Sequence, residues 1–294
     1  MNAVVKNISL KRRTVCISDI HGHLELFQKV LDKAGYTSED SLVLLGDLYA
    51  KGPHPAETRE YTERLSRSPD VHILLGNCDE PDSTYPHILD AGEYVFVHGG
   101  LSSENLSGLD AWGCMKTDAF LEQGLSFSRW VITRHWPVFN YCRKIPCTNP
   151  IIDLEKRIVA IDGGCVVNDC GQLNAFIIKD GAFSFETADT FPKVRIKQPQ
   201  KERGGTVNIT WGDRSVEIVE DGAEFSTVRH ISTGKLVTIP TAYLFTDWEG
   251  RLCGCRLGTD YFLPVGAGET VSQIDEFSDR ILAKKGGIVG WIMK

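Results

Sequence analysis

Between about residues 14 and 190 the chain alternates short, continuous apolar runs with stretches of helical spacing. "TVCISDIHG" is a β-branched run that ends in polar residues and glycine. "LELFQKVLDKAG" follows, with Leu24, Phe27, Val30, Leu31 and Ala34 at helical spacing and Gly35 as the stop. "SLVLLGDLYAKGPHP" reads as a strand and then a loop, and "AETREYTERLSRSPD" as an exposed helix. "VHILLGNCDEP" and "YVFVHGG" are two more strand-to-loop units. Continuously apolar strands are strands buried on both faces. The pattern therefore predicts an α/β fold whose chemistry gathers at the C-terminal ends of its strands.

Further along, the pattern changes. "RIVAIDGGC" is a strand, and "LNAFIIKDGAFSFET" is a hairpin around Asp180-Gly181. "FPKVRIKQPQKERGG" has no helical stripe and is expected to be a linker over 191–205. From 206 to 294 the runs "TVNITW", "SVEIVE", "KLVTIP", "TDYFLPV" and "IVGWIM", broken by Gly and Asp, predict a small, mostly antiparallel β domain. The expected division is 1–190, the linker, and 206–294.

A chain of 294 residues that is 42% hydrophobic can bury a full core. The formal charge of −7, with no basic block beyond "KRR" at 11–13, excludes binding of a nucleic-acid polymer through a basic face. No apolar segment with a cleavage site opens the sequence, and no run approaches the length of a membrane span, so a cytoplasmic protein is expected, with no membrane partner. The nine cysteines (16, 78, 114, 142, 147, 165, 170, 253 and 255) are an odd number without an export signal and are read as reduced thiols. Cys142-x4-Cys147 and Cys165-x4-Cys170 do not have zinc-ribbon spacing and are read as small buried hydrophobes.

The strand-end loops carry residue types that bind metals. They are Asp19 and His21, then Asp47, Asn77, His98, and His135 in "TRHWP". Two carboxylates, one amide and three imidazoles suit Mn, Fe or Zn better than Ca or Mg. Each alone reads as a turn or cap residue. Together they share one edge of the expected sheet, and the glycines beside them allow close crowding.

In order, "SDIHG", "GDLYAKG", "GNCD", "VFVHGG", "RHWP" and "IDGGC" resemble the motif series of the calcineurin-like metallophosphoesterases, over about residues 14–180. The set is most similar to the branch of Ser/Thr protein phosphatases and symmetrical diadenosine-tetraphosphate hydrolases. The resemblance implies a four-layer α/β/β/α sandwich. It implies a first metal on Asp19, His21 and Asp47, with Asp47 bridging to a second on Asn77, His98 and His135. It implies hydrolysis of phosphate esters by a metal-bridging hydroxide. The implied substrate is a phosphoprotein first, or else a nucleotide, a dinucleotide polyphosphate or a phosphodiester. A catalytically weak binding scaffold is the remaining reading.

Cys78 stands where the phosphatase pattern has the His that protonates the leaving group, and Ala50 where it has the Asp that orients that His. Lys51 replaces the Arg of the phosphate clamp, and Arg134 or Arg129 is the candidate substitute guanidinium. Asp79, which ends the "GNCD" loop, is counted with Cys78, Lys51 and Arg134 in the catalytic set. Loss of a general acid, typically about 10²–10⁴-fold, matters least for a good leaving group. His23 and His87 are the alternative acids. The short stretch between Asn77 and His98 implies an open site. "GTDYFLPVGAGETV" and "KKGGIVGWI" are similar to bacterial Src-homology-3-type barrels, which implies a peptide or other partner for the C-terminal domain. Tyr261, Phe262 and Trp291 either line its binding face or fill its core.

Overall fold

In the computed structural model, which describes residues 1–80, 84–165, 167–254 and 257–294, the sequence pattern becomes two mixed sheets followed by a β-rich unit. The first compact unit comprises Met1–Val138, Asn149–Val166 and Gly171–Asp189. Its elements are β1 (Val5–Asn7), β2 (Arg13–Ile17), α1 (Leu24–Ala34), β3 (Ser41–Leu44), α2 (Pro55–Leu65), β4 (Val71–Ile73), β5 (Ile88–Ala91) and β6 (Tyr94–Val97). After these come α3 (Ala111–Met115), β7 (Trp130–Thr133), β8 (Ile151–Asp153), β9 (Ile158–Ala160), β10 (Leu173–Lys179) and β11 (Ala182–Ala188). One sheet has the order β11-β10-β2-β3-β4, the other β1-β5-β6-β7-β9-β8.

The apolar strands are buried on both faces because two cores share them. Val15, Ile17, Leu42, Leu44, Ala175 and Ile177 face α1, which presents Phe27, Val30 and Leu31. The alternate residues Cys16, Val43, Leu45, Phe176 and Ile178 meet Leu89, Phe96, Ile132 and Val159 of the other sheet. This is the period-2 geometry of a strand applied to two apolar surfaces at once. Gly35 ends α1 in the left-handed conformation, with φ 60°, as the stop signal requires.

Register brings the chemistry together. β2 and β3 are parallel with Ile17 opposite Leu44. β6 and β7 are parallel with Phe96 opposite Ile132, and β7 and β9 with Thr133 opposite Ala160. Residues just past these pairs therefore leave their sheets side by side.

The second unit comprises Phe139–Thr148, Val167–Cys170 and Thr190–Lys294. Its strands are β12 (Lys193–Arg195), β13 (Asn208–Ile209), β14 (Val216–Glu220), β15 (Phe225–His230), β16 (Leu236–Pro240), β17 (Leu244–Thr246), β18 (Leu252–Gly254), β19 (Gly258–Thr259), β20 (Thr270–Glu276), β21 (Arg280–Lys285) and β22 (Ile288–Met293). A four-stranded sheet, β12-β20-β21-β22, accompanies a three-stranded β14-β15-β16 and two short pairs. These strands pair antiparallel with one another.

The expected linker at 191–205 is corrected here. β12 pairs with β20, and Gln200 and Arg203 bridge to Val265 and Phe262. Pro and Lys suit an edge strand, so the composition that suggested a linker belongs to a sheet border. Tyr261 and Trp291 are core residues, and the Trp291 indole donates to Thr259 O at 2.9 Å. They do not line a binding face. Phe262 is partly buried, with the Arg203 guanidinium 3.8 Å from its ring centre.

The eight described cysteines are free thiols, and no cysteine joins a metal-type cluster among the described residues. Cys255, and Ser83 at the head of "STYPHILD", lie outside the described residues. Among the described residues, no helix is long and apolar enough to cross a membrane.

Candidate metal centre

Asp19 and His21 follow β2, Asp47 follows β3, Asn77 follows β4, His98 follows β6, and Arg134 and His135 follow β7. Backbone hydrogen bonds lock the first two loops together: His21 N–H donates to Asp47 O at 3.0 Å and Gly22 N–H to Leu48 O at 2.8 Å. Asp19, His21, Asp47, Lys51 and His135 all have positive φ, which non-glycine residues seldom adopt. Elsewhere in the described chain only Ala119, Arg157 and Asp180 do so among non-glycine residues. Backbone strain is therefore concentrated where the candidate donors converge.

Asp19, His21 and Asp47 each offer a donor atom within 4.8 Å of the others, and all three are buried. His21 Nε2 lies 3.7 Å from Asp19 Oδ1 and 3.9 Å from Asp47 Oδ2. Its Nδ1 is 3.0 Å from Ala50 O, a carbonyl that can only accept. That contact assigns the ring hydrogen to Nδ1 and turns the Nε2 lone pair inward. His98 repeats the device: Nδ1 is 3.1 Å from Leu45 O, while Nε2 faces Asn77 Oδ1 at 2.9 Å and Asp47 Oδ1 at 3.7 Å. Burial holds His21 down to about 4, against the pull of Asp47, so the imidazole is neutral at physiological pH.

A cation suits this donor set. Asp19 Oδ2 is buried with no hydrogen-bond partner. His98 Nε2, with its hydrogen on Nδ1, faces two acceptor oxygens. A side chain at Gly76 would run into Asp47 Oδ1 and His98 Cε1, so glycine keeps the space between them open. His135 is less fully engaged with the set. Its ring centre is 5.5 Å from that of His98, but its Nε2 is held by Asp118 at 2.9 Å and Lys116 at 3.0 Å.

The other sequence candidates occupy several different places. Cys78 N–H donates to Asp47 Oδ1 at 2.8 Å, and Asn77 Nδ2 approaches its sulfur at 3.3 Å. Burial and the Asp47 carboxylate push the Cys78 thiol up, with Lys51 opposing, so it stays protonated at neutral pH. Lys51 is exposed beside it. Asp79 accepts from Asp47 N–H at 2.8 Å, Leu48 N–H at 3.0 Å and Gly76 N–H at 2.8 Å. It is a positioning carboxylate that ties two loops together. Arg134 is wholly buried among Asp19, Asp47 and Leu45 O.

Three candidates do not join the centre. Arg129 is engaged by Asp90 at 2.9 Å. His87 is buried, and its Nδ1 accepts the Val4 N–H at 3.0 Å, a structural contact at the edge of β5 that replaces the reading as an acid. His23 precedes α1, where burial and then the nearby His54 lower its pKa.

Asp162 was not assigned a role from sequence, although "RIVAIDGG" has the same strand-then-Asp-Gly form as the other motifs. It is buried past β9, and its Oδ1 accepts the Gly164 N–H at 2.7 Å. Burial raises it to about 6. A carboxyl raised in the folded state favours folding below its unfolded pKa, near 3.8, and that advantage is lost as pH rises through about 6. Asp162→Asn keeps an acceptor and cannot ionise. In the metal-free protein it should gain melting temperature over wild type at pH 7 but not at pH 4, as thermal unfolding at both pH values would show.

Residues 12–156 match the family model described as calcineurin-like phosphoesterase. The symmetrical bis(5'-nucleosyl)-tetraphosphatase of Baumannia cicadellinicola subsp. Homalodisca coagulata is 42% identical over 67 residues, 22% of this chain and 23% of that protein. The enzyme of the same name from Photobacterium profundum is 40% identical over 67 residues, 22% of this chain and 24% of its own. The chain thus aligns with less than a quarter of the length of these relatives. Among solved structures, a serine/threonine phosphatase from Saccharomyces cerevisiae is 12% identical, with a TM-score of 0.45 over 65% of this chain and 85% of its own. Residues 12–156, just under half of this chain, are thus similar to the calcineurin-like phosphoesterase family.

Proposed function

We propose that the protein is a metal-dependent phosphoesterase that prefers substrates with good leaving groups, with dinucleoside polyphosphates as the leading class. The observation that carries this is the buried convergence of Asp19, His21 and Asp47, with His98 against the other oxygen of Asp47 and Asn77 against His98. Asp19, His21 and Asp47 would hold one metal ion, and Asp47, Asn77 and His98, with His135 alongside, a second; Mn, Fe and Zn suit these donors. When bound, the metal supplies a Lewis acid that lowers the pKa of water and offsets charge on phosphate oxygens.

The chain's own groups supply the remaining functions. Lys51 offers a point charge to a substrate phosphate at the exposed side. Ala50 O and Leu45 O fix the two imidazoles. Asp79 sets the spacing of the Asp47 and Asn77 loops. Cys78 offers a thiol, at best a weak donor, so the leaving group must depart largely unaided. A phosphoanhydride or an aryl phosphate does so, whereas a serine alkoxide needs a proton. The curated relatives, tetraphosphatases by name, support the same preference. The phosphoprotein reading, expected first from the sequence, therefore takes second place. The second unit contributes a small barrel of Src-homology-3 type in this reading, with no part in the chemistry.

Metal content is measured together with turnover of p-nitrophenyl phosphate, its bis ester, a phosphopeptide and diadenosine tetraphosphate. Turnover of the tetraphosphate well above the phosphopeptide is expected. A metal-free protein that turns over none of them is a scaffold. Cys78→His should raise turnover of an alkyl phosphomonoester about tenfold more than that of the aryl ester, short of the full about 10²–10⁴-fold because Ala50 gives the new imidazole no orienting partner. Equal gains on both esters would count against the leaving-group argument.

A further inference from the structure

Arg134 is a permanent cation in the middle of the proposed metal donors. Its side chain has no solvent exposure. Nε donates to Leu45 O at 2.6 Å, Nη1 pairs with Asp19 Oδ1, and Nη2 lies 3.4 Å from Asp47 Oδ1. Asp79 and Asp162 add further negative charge around it. Both carboxylates that flank the guanidinium belong to the three-residue set that suits a metal. Arginine does not lose its proton in proteins, so this charge is present whether or not a metal is bound.

Two consequences follow from electrostatics alone. Without metal, carboxylates this close would repel one another across a poorly screened interior, and the guanidinium offsets that repulsion. With metal, a divalent ion held by Asp19 and Asp47 must share these two carboxylates with a fixed positive charge in direct contact with them. Nη2 has no hydrogen bond of good geometry. The guanidinium is thus held by Leu45 O and Asp19 and leans on Asp47.

We propose that Arg134 is a built-in counter-cation, which keeps the Asp19–Asp47 centre assembled without metal and weakens its hold on divalent ions. The chain therefore exchanges metal with its surroundings and does not trap it. This rests on the reading of Asp19, His21 and Asp47 as a metal set. It also changes the role expected for Arg134 from the sequence: a side chain closed off from solvent balances its neighbours and does not clamp a substrate phosphate.

The test is calorimetric titration of Mn²⁺ into metal-stripped full-length protein, with wild type, Arg134→Gln and Arg134→Lys compared. Arg134→Gln removes the charge and should bind with a dissociation constant at least about tenfold lower. Arg134→Lys keeps the charge and should stay near wild type. Near-ultraviolet circular dichroism of stripped wild type should match that of the loaded protein, and this reading decides the matter even if Arg134→Gln fails to fold. Unchanged or weaker binding by Arg134→Gln overturns the proposal, as does tightening by Arg134→Lys or collapse of the stripped wild-type signal. Those outcomes leave the metal set itself standing. Absence of Mn²⁺ binding in all three proteins overturns the metal set and the proposal together.

Discussion

Asp47→Asn is expected to lower kcat/KM on diadenosine tetraphosphate by more than the about 10–100-fold typical of losing a partner outside the ligand set. Asp47 is the carboxylate on which both halves of the centre meet. Oδ2 faces His21 Nε2 at 3.9 Å, while Oδ1 faces His98 Nε2 at 3.7 Å and the Cys78 N–H at 2.8 Å. Burial would push this carboxyl up, but Arg134, His21 and the Cys78 N–H outweigh burial and hold it below the ordinary Asp range. It is therefore ionised at any working pH. An amide has the same shape, but it lacks the charge and turns an NH₂ group toward one of its two sets of neighbours. Turnover and bound metal should fall together while far-ultraviolet circular dichroism is unchanged. Activity within tenfold of wild type would mean that Asp47 is not the shared donor.

Asp79→Ala should have the largest effect on stability, about 2–4 kcal/mol, because three backbone N–H groups lose their acceptor and an unsatisfied buried donor costs about 1–3 kcal/mol. Those donors lie on two separate loops, at Asp47, Leu48 and Gly76. The cost is less than three full penalties because burial and the nearby Asp47 charge already raise the Asp79 pKa, so its removal relieves some repulsion. Asp79→Asn keeps one acceptor oxygen and should recover about half of the loss. Urea unfolding of the three proteins checks the order. Equal stability of wild type and the alanine variant would remove Asp79 from its positioning role.

Much of the first unit was legible because its strands are short and wholly apolar, a pattern that few other arrangements can satisfy. Leu24, Phe27, Val30, Leu31 and Ala34 gave α1 directly, and Gly35 gave its end. The Asp180-Gly181 turn gave the β10–β11 hairpin. The convergence of Asp19, His21 and Asp47 followed from their common position after parallel strands. Three features were hidden for physical reasons. The burial of Arg134 depends on carboxylates remote in sequence, and composition assigns an isolated arginine to the surface. The attachment of His135 to Asp118 and Lys116 is a tertiary contact with no local signature. β12 was hidden by prolines and lysines that elsewhere mark loops.

The second unit draws on three separate stretches of chain, two of which, Phe139–Thr148 and Val167–Cys170, precede the end of the first. Phe139 and Cys170 pack in one apolar cluster with Leu257, Leu282, Val289 and Trp291. A stop codon at 190 would thus leave Phe139 and Cys170 without those companions, and a start codon there would leave the β-rich part missing a share of its interior. Gene fusion at a single junction cannot transplant either half intact, so the two must be inherited, and tolerate drift, as one cassette.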